Sequence, residues 1–388
     1  MKRRRVVLVM TEPPLPFGNA AARWYYVLLK GLVERGHQVT ALAAASQQED
    51  VVAAADLFPA KHYDLRCYRH FSRRGIAGKW QSLRRPHSYL FAPELRRDLK
   101  RELSTGIDVL HLEHNWSGWL GPDATSPSIL AVHYLVQIDL AEMPASSIGD
   151  RLRNMAICRA ERRLLQRYRT IATVTPALAA RVREIAPNAT VHTVPLAFDI
   201  SLYPFEPEPP RRGTPVVSLI GSFAWQPTYT AAERLVTRLW PEISRRVPDA
   251  RLQIVGRQAG RAVAALGAIP HGTIHEDVPE IAPYFQNTDV MLYAPLRGSG
   301  MKVKVMEAFA FGTPVVTTTD GIEGIPAEDG IHAEISDNDE ELIERTVALL
   351  QDGERRQQRR LAARKLIREH SDPTRVLEIL EGVYDACA

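Results

Sequence analysis

Cysteine is scarce in this chain, and its three cysteines, Cys67, Cys158 and Cys387, are far apart and odd in number. No Cys-x-x-Cys or other metal spacing joins them, which excludes a disulfide framework and leaves a reduced, cytosolic compartment as the simplest expectation. Long apolar runs are missing as well. Val6–Met10 is too short for a signal-peptide core and runs on into Pro13 and Pro14. Nothing approaches the roughly 18 apolar residues of a membrane span. A large excess of one charge is also lacking, since the net charge is only +4, and no nucleic-acid partner is expected from it. No short-period repeat or low-complexity tract interrupts the chain. The expectation is a soluble protein, at most bound to a membrane surface, whose 388 residues suit two domains with a core each.

What the chain does have is alternation. Val6–Met10 reads as a strand buried on both faces. A loop with Pro16 and Gly18 follows, then a helix over Ala20–Glu34 that stops at Gly36, then a strand over Gln38–Ala44. That is a βαβ unit, which requires a parallel sheet. Strands are expected again at Val109–Leu112, Ser128–Val132, Ile171–Thr175 and Val191–Val194, with an Arg-rich amphipathic helix near Arg151–Arg169. Tyr203–Gly213 has the proline-rich composition of a linker. The rhythm restarts with strands at Val216–Ile220, Arg251–Val255, Val290–Tyr293 and Pro314–Thr318. The fold class expected is α/β, with two doubly wound parallel-sheet, Rossmann-like halves.

In such sheets ligands bind where glycine loops leave strand ends and feed helix N-termini. Three stretches fit. Pro295–Val316 places Gly298-Ser299-Gly300 before a helix that stops at Gly312, with Lys302 and Lys304 in its first turn and Glu307 among apolar residues. The helix start favours an anion by ~0.3–2 kcal/mol, and ribose hydroxyls would suit Glu307. The plainer alternative is that Glu307 pairs with Lys304 one turn earlier and Ser299 is an N-cap. The loop Thr11–Arg23 offers Gly18, Asn19 and Arg23, although Gly18 can equally be a turn residue. Gly221, directly after a strand, begins Gly221-Ser222-Phe223-Ala224-Trp225-Gln226-Pro227, which can line a nucleotide cleft. His111, His114 and His133 stand at or beyond strand ends. A structural role competes with a catalytic one for each, and His111-x-x-His114 lacks the further ligands of a zinc site.

On these residues the chain resembles the family-4 (group 1) glycosyltransferases. The resemblance is specific in Pro295-Leu296-Arg297, Gly298-Ser299-Gly300, Lys302, Lys304, Glu307-Ala308, Gly312-Thr313-Pro314-Val315-Val316 and Glu323-Gly324. It is looser before residue 216, as in Leu29-Lys30-Gly31-Leu32 and Glu161-Arg162-Arg163-Leu164-Leu165. It implies the GT-B fold, with an acceptor-side domain over 1–203 and a nucleotide-sugar domain over 204–370, the two facing a cleft. The helix from 371 to 388 would cross back to the first domain. It also implies roles. Glu307 would hold the donor ribose, and the backbone of Asp277 and Val278 would read the base. Ser299, Gly300 and Met301 would offer N–H groups to the diphosphate, with Lys304 and Lys302 as cations. Gly18 and Gly221 would lie beside the donor, and His133 near its sugar. Ser299 stands where many members carry a second Glu, so the donor sugar is not carried over.

The expected activity is hexosyl transfer from a nucleotide-diphosphate sugar to a glycan, lipid-linked or small-molecule acceptor, with retention. No cofactor and no metal is expected, because no Asp-x-Asp pair suits a metal–diphosphate bridge. Two alternatives are a sugar-nucleotide 2-epimerase of GT-B fold and a non-catalytic glycosyltransferase-like partner subunit. The stretch Arg69–Arg101, basic and laced with Phe71, Trp80, Tyr89 and Phe91, is the candidate for peripheral contact with the inner face of a membrane, against the plainer possibility of a solvated helical face.

Overall fold

The computed structural model describes residues 2–71, 75–121, 126–140, 147–208 and 213–387. It divides into two compact units, one running to Phe198 and resuming at Ser371, the other formed by Asp199–His370. Among the described residues no helix is long and apolar enough to cross a membrane.

The first unit is built on seven strands: β1 (Arg5–Met10), β2 (Gln38–Ala45), β3 (Asp64–Arg69), β4 (Val109–Leu112), β5 (Ser128–Val132), β6 (Thr170–Thr173) and β7 (Thr190–Thr193). All pair in parallel, in the order β3-β2-β1-β4-β5-β6-β7. The second unit repeats the plan with β8 (Val216–Ile220), β9 (Arg251–Gly256), β10 (Gly272–Glu276), β11 (Val290–Tyr293), β12 (Val315–Thr317) and β13 (Glu334–Ile335), in the order β10-β9-β8-β11-β12-β13. Central strands are sandwiched by helices, so β1, β4, β8 and β11 are apolar and almost wholly buried. The three strands that the sequence pattern does not signal, β3, β10 and β13, each lie at a sheet edge. β3 and β10 are exposed or half-buried along their length and β13 has two residues. Edge strands bury too little to need a continuous apolar run.

The helix Pro373–Cys387 completes the first unit. It buries Val376, Leu377, Leu380, Val383 and Tyr384. Its polar side chains are also engaged: Arg35 donates twice to Glu381, at 3.0 and 2.7 Å, and the His37 ring lies 2.8 Å from the same carboxylate. Contact with the helix Ala20–Glu34 is close at Gly31, where a Cβ would lie 2.2 Å from Leu377 Cδ1. At the start of this last segment, Ser371 accepts the Phe198 N–H at 2.8 Å.

Residues 209–212 of the expected linker lie outside the described residues. Tyr203–Pro207 is fastened to the second unit. Tyr203 packs edge-on against Phe311, with centroids 5.1 Å apart, and the guanidinium groups of Arg360 and Arg364 sit over the Phe205 ring at 5.5 and 4.5 Å. Arg364 also donates to the Tyr203 carbonyl at 3.0 Å.

Closure at Gly31 is testable. Gly31→Ala should cost about 1–3 kcal/mol by overpacking, and Leu377→Ala about 2–5 kcal/mol by opening a cavity. The double variant should cost about 1 kcal/mol or more less than their sum, measured by thermal melts; additive costs would show that the two residues do not meet.

Candidate functional site

In each sheet the chain reverses its direction of growth at the first strand, so β1 lies beside β4 and β8 beside β11. Loops leaving the carboxyl ends of such a pair diverge and leave a crevice. The candidate residues gather at these two places.

In the second unit β8 leads into Gly221. A Cβ there would lie 2.7 Å from Lys304 Cε, and a Cβ on Gly256 would lie 1.9 Å from the Gly221 carbonyl oxygen. Both positions therefore require glycine, and the space above Gly221 is filled by the lysine stem. The Lys304 ammonium lies 4.4 Å from the ring centroid of Trp225 and 4.3 Å from that of Tyr293. It is buried, and among the described residues no carboxylate pairs with it. Burial, reinforced by the charge of Lys302, pushes its pKa well below that of an ordinary lysine. The ring faces stabilise a cation but carry no net charge to balance it.

Lys302 has a different task. Its ammonium is wholly buried, donates to the Gly300 carbonyl at 2.7 Å and lies 3.6 Å from Glu323 Oε2. Glu323 Oε1 accepts the Gly300 N–H at 3.2 Å. Glu323 thus clamps the glycine loop from both sides. The Gly300 N–H is engaged by Glu323, and Lys302 anchors the loop. The helix itself runs over Val303–Phe311, so Lys302 is its N-cap and Lys304 lies in its first turn. Ser299, Met301 and Glu307 are buried around it. The plain Lys304–Glu307 ion pair does not form among the described residues. Asp277, in left-handed conformation at φ 49°, donates its N–H to the Gly256 carbonyl at 3.2 Å and, with Val278, follows the edge strand β10. Both stand at the same carboxyl edge of the sheet, with no contact to the lysine.

In the first unit the strand ends converge on Glu113, a residue that gives no motif signal in the sequence. It is almost wholly buried. His133 Nε2 lies 2.7 Å from its Oε2, and His111 Nε2 lies 3.0 Å from its Oε1 without hydrogen-bond alignment. His111 Nδ1 is 2.8 Å from the Tyr384 hydroxyl. Burial raises the Glu113 pKa, but the two histidines outweigh it and hold the carboxyl well below the usual range. His133 is thereby fixed by one ring nitrogen, Nε2. A cavity of about 10 Å³ opens between Glu113, His133, Trp24 and Leu380. His114, with φ 73°, is half-buried, and desolvation lowers its pKa to about 3, so it stays neutral.

A second carboxylate holds the backbone here. Asn115 Oδ1 accepts the His133 N–H at 3.1 Å, and its amide donates to the Tyr134 carbonyl at 2.6 Å and to Glu161 Oε1 at 3.2 Å. Glu161 also accepts the N–H groups of Val136 (3.0 Å) and Gln137 (3.3 Å). Burial raises its pKa to about 7, against these hydrogen bonds. Gly18, at φ 85°, is exposed in the loop after β1; its neighbour Asn19 caps the helix Ala20–Glu34 by accepting the Ala22 N–H at 3.0 Å and also contacts Glu12.

Among the described residues no group of three or more His, Cys, Asp or Glu is placed to hold a metal. The acids of Asp337-Asn338-Asp339 are engaged elsewhere, Asp337 by the N–H and hydroxyl of Thr319 and Asp339 by Arg234 and Arg238.

Comparison with known proteins agrees with this division. Residues 21–202 match the family described as Glycosyltransferase Family 4, and residues 214–352 match Glycosyl transferases group 1. Sucrose-phosphate synthase from Thermosynechococcus elongatus superposes with a TM-score of 0.72 at 14% identity, covering 99% of both chains. HepE from Anabaena, solved in complex with UDP-glucose, gives 0.67 at 13% identity, covering 99% of this chain and 100% of its own. A glycosyltransferase from Rickettsia africae gives 0.65 at 13% identity, covering 100% of this chain and 99% of its own. No curated protein matches the sequence. The fold is GT-B.

Two consequences of the buried charges can be measured. Glu161 has a raised folded-state pKa, so its contribution to stability is full below the unfolded value of 4.5 and is lost as pH rises through about 7. At pH 8 the loss is on the order of 3 kcal/mol. Glu161→Gln should flatten the fall in melting temperature between about pH 5 and 8, whatever its absolute stability; an unchanged slope would show that Glu161 is not the titrating group. Lys304, with a depressed pKa, binds fewer protons folded than unfolded, so its cost fades as pH rises towards 10.5. Lys304→Met should raise the melting temperature of the ligand-free protein at pH 7 by a few degrees, on the order of 1 kcal/mol. A lowered melting temperature would mean that the ammonium stabilises the fold.

Proposed function

We propose, for a chain that belongs to the family-4, group 1 glycosyltransferases, transfer of a hexosyl group from a nucleotide-diphosphate sugar to an acceptor hydroxyl, with retention and without a metal ion. The carrying observation is the Lys304 ammonium, buried without a carboxylate partner at the β8/β11 crevice. A diphosphate supplies the missing negative charge. As the bond from the anomeric carbon to the leaving oxygen breaks, charge grows on the phosphate. A cation already in place, next to a helix N-terminus, stabilises that charge without reorganising.

The remaining roles follow from placement. Glu307, on the same helix as Lys304, receives the ribose hydroxyls, and the backbone at Asp277 and Val278 meets the base. UDP is the first candidate, because HepE, of the same fold, was solved with UDP-glucose. His133, fixed through Nε2 by Glu113, presents Nδ1 to a sugar hydroxyl. In a same-face transfer the leaving phosphate oxygen takes the acceptor proton as the new bond forms, so no separate base is needed. The acceptor is a saccharide, a lipid-linked saccharide or a small molecule, and the compartment is the cytoplasm.

The test is a set of thermal shifts with UDP, GDP, dTDP, ADP and CMP on the natural protein and on Glu307→Ala. UDP at about 100 times its dissociation constant should add roughly 2.7 kcal/mol, and the shift should vanish in Glu307→Ala. No shift with any nucleotide would sink the donor site and favour a non-catalytic partner subunit. A shift followed by acceptor-free conversion of the sugar nucleotide would mean epimerisation.

A further inference from the structure

Within 69–101, the sequence's candidate for membrane contact, part of the apolar surface and part of the charge is engaged inside the fold. Residues 72–74 lie outside the described residues. Phe91, Leu95 and Leu99 are buried. Arg97 pairs with Glu94, Arg101 with Asp98 and Glu102, and Arg96 donates to the carbonyls of Ser88 and Phe91.

The helix Ile148–Leu165 is different. Its inward side buries Ala160, Glu161, Leu164 and Leu165. Facing out from its first turns are Ile148, Leu152 and Met155, spaced i, i+4 and i+7 on one face and exposed by 79, 58 and 46%. Single exposed apolar residues need no explanation, whereas a stripe does. Arg151, Arg153, Arg159 and Arg162 are exposed on the same helix, and among the described residues none is in an ion pair. The acid of its first turn, Asp150, is hydrogen-bonded by the Ser147 hydroxyl at 2.7 Å. The helix Ile76–Arg84 packs beside it and adds the exposed Leu83.

We propose that this face of Ile148–Leu165 docks on an anionic lipid surface, with Ile148, Leu152 and Met155 entering the acyl boundary and Arg151, Arg159 and Arg162, on the same side of the helix, meeting headgroup phosphates. An apolar stripe flanked by unpaired arginines is the composition that interfacial helices use. A second copy of the chain fits poorly, because it would bring two sets of arginines together with no carboxylate between them. The contact is peripheral, and it stands or falls separately from sugar transfer.

The experiment uses the full chain and vesicles of phosphatidylcholine with and without phosphatidylglycerol. Co-sedimentation should occur with the anionic vesicles only and weaken as salt rises. Leu152→Ser/Met155→Ser and Arg151→Glu/Arg159→Glu should each weaken it about tenfold or more. Their melting temperatures should match the natural protein, since these side chains are exposed. Arg97→Glu/Lys100→Glu serves as control and should change binding much less. Absence of vesicle binding, binding indifferent to the 148–165 variants, or loss only in the control would overturn the proposal. So would sedimentation velocity showing a dimer that Leu152→Ser/Met155→Ser dissolves.

Discussion

A lysine ammonium held away from water without a carboxylate beside it is an expensive arrangement, and much of the second unit is shaped by keeping one. Lys304 can occupy its place only because residue 221 has no side chain, and Gly221 can pass so close to β9 only because residue 256 has none either. Trp225 and Tyr293 present ring faces to the charge. Beneath it, Lys302 and Glu323 fix the glycine loop. The two lysines look interchangeable in the chain, yet one is neutralised by its neighbours and the other is not. That difference leaves an unbalanced positive charge at the crevice rather than a salt-bridged turn.

The first unit solves the opposite problem, since its crevice buries negative charge. Glu113 keeps its charge because two imidazoles flank it, and it thereby sets which nitrogen of His133 is committed. Glu161, lacking a cation, rests on backbone amides and Asn115, and burial lifts its pKa to about 7. The same residue type at similar depth is driven in opposite directions by whether its partners are ionisable rings or neutral N–H groups.

Interior strands were legible from their Val- and Leu-rich runs, because a strand covered on both faces must be apolar throughout. The edge strands β3, β10 and β13 were not, as nothing compels their exposed faces to be apolar. Within the candidate site, Gly221, Ser299, Lys302, Lys304 and Glu307 stood out because a glycine loop feeding a helix is contiguous in the chain. What separates Lys302 from Lys304 was not legible, since it depends on Glu323 some twenty residues away. Glu113 and Asn115 carry no local signal: their partners are brought in from another strand end and from the helix Ile148–Leu165. In the basic stretch 69–101, which cations pair with Glu94, Asp98 and Glu102 is likewise decided by the helix that the stretch forms.

The last helix carries a consequence for how the molecule is made. Pro373–Cys387 supplies Leu377 against Gly31, Glu381 against Arg35 and His37, and Tyr384 against the His111–Glu113 pair. The first unit is therefore finished by residues made after the whole of the second unit. The second unit, a single uninterrupted stretch of chain, has all its parts earlier. Vectorial synthesis thus completes the domain begun second before the domain begun first. Until Pro373–Cys387 is made, His111 lacks its Tyr384 partner, so the histidine–carboxylate cluster of the first unit is completed only after the whole second unit has been synthesised.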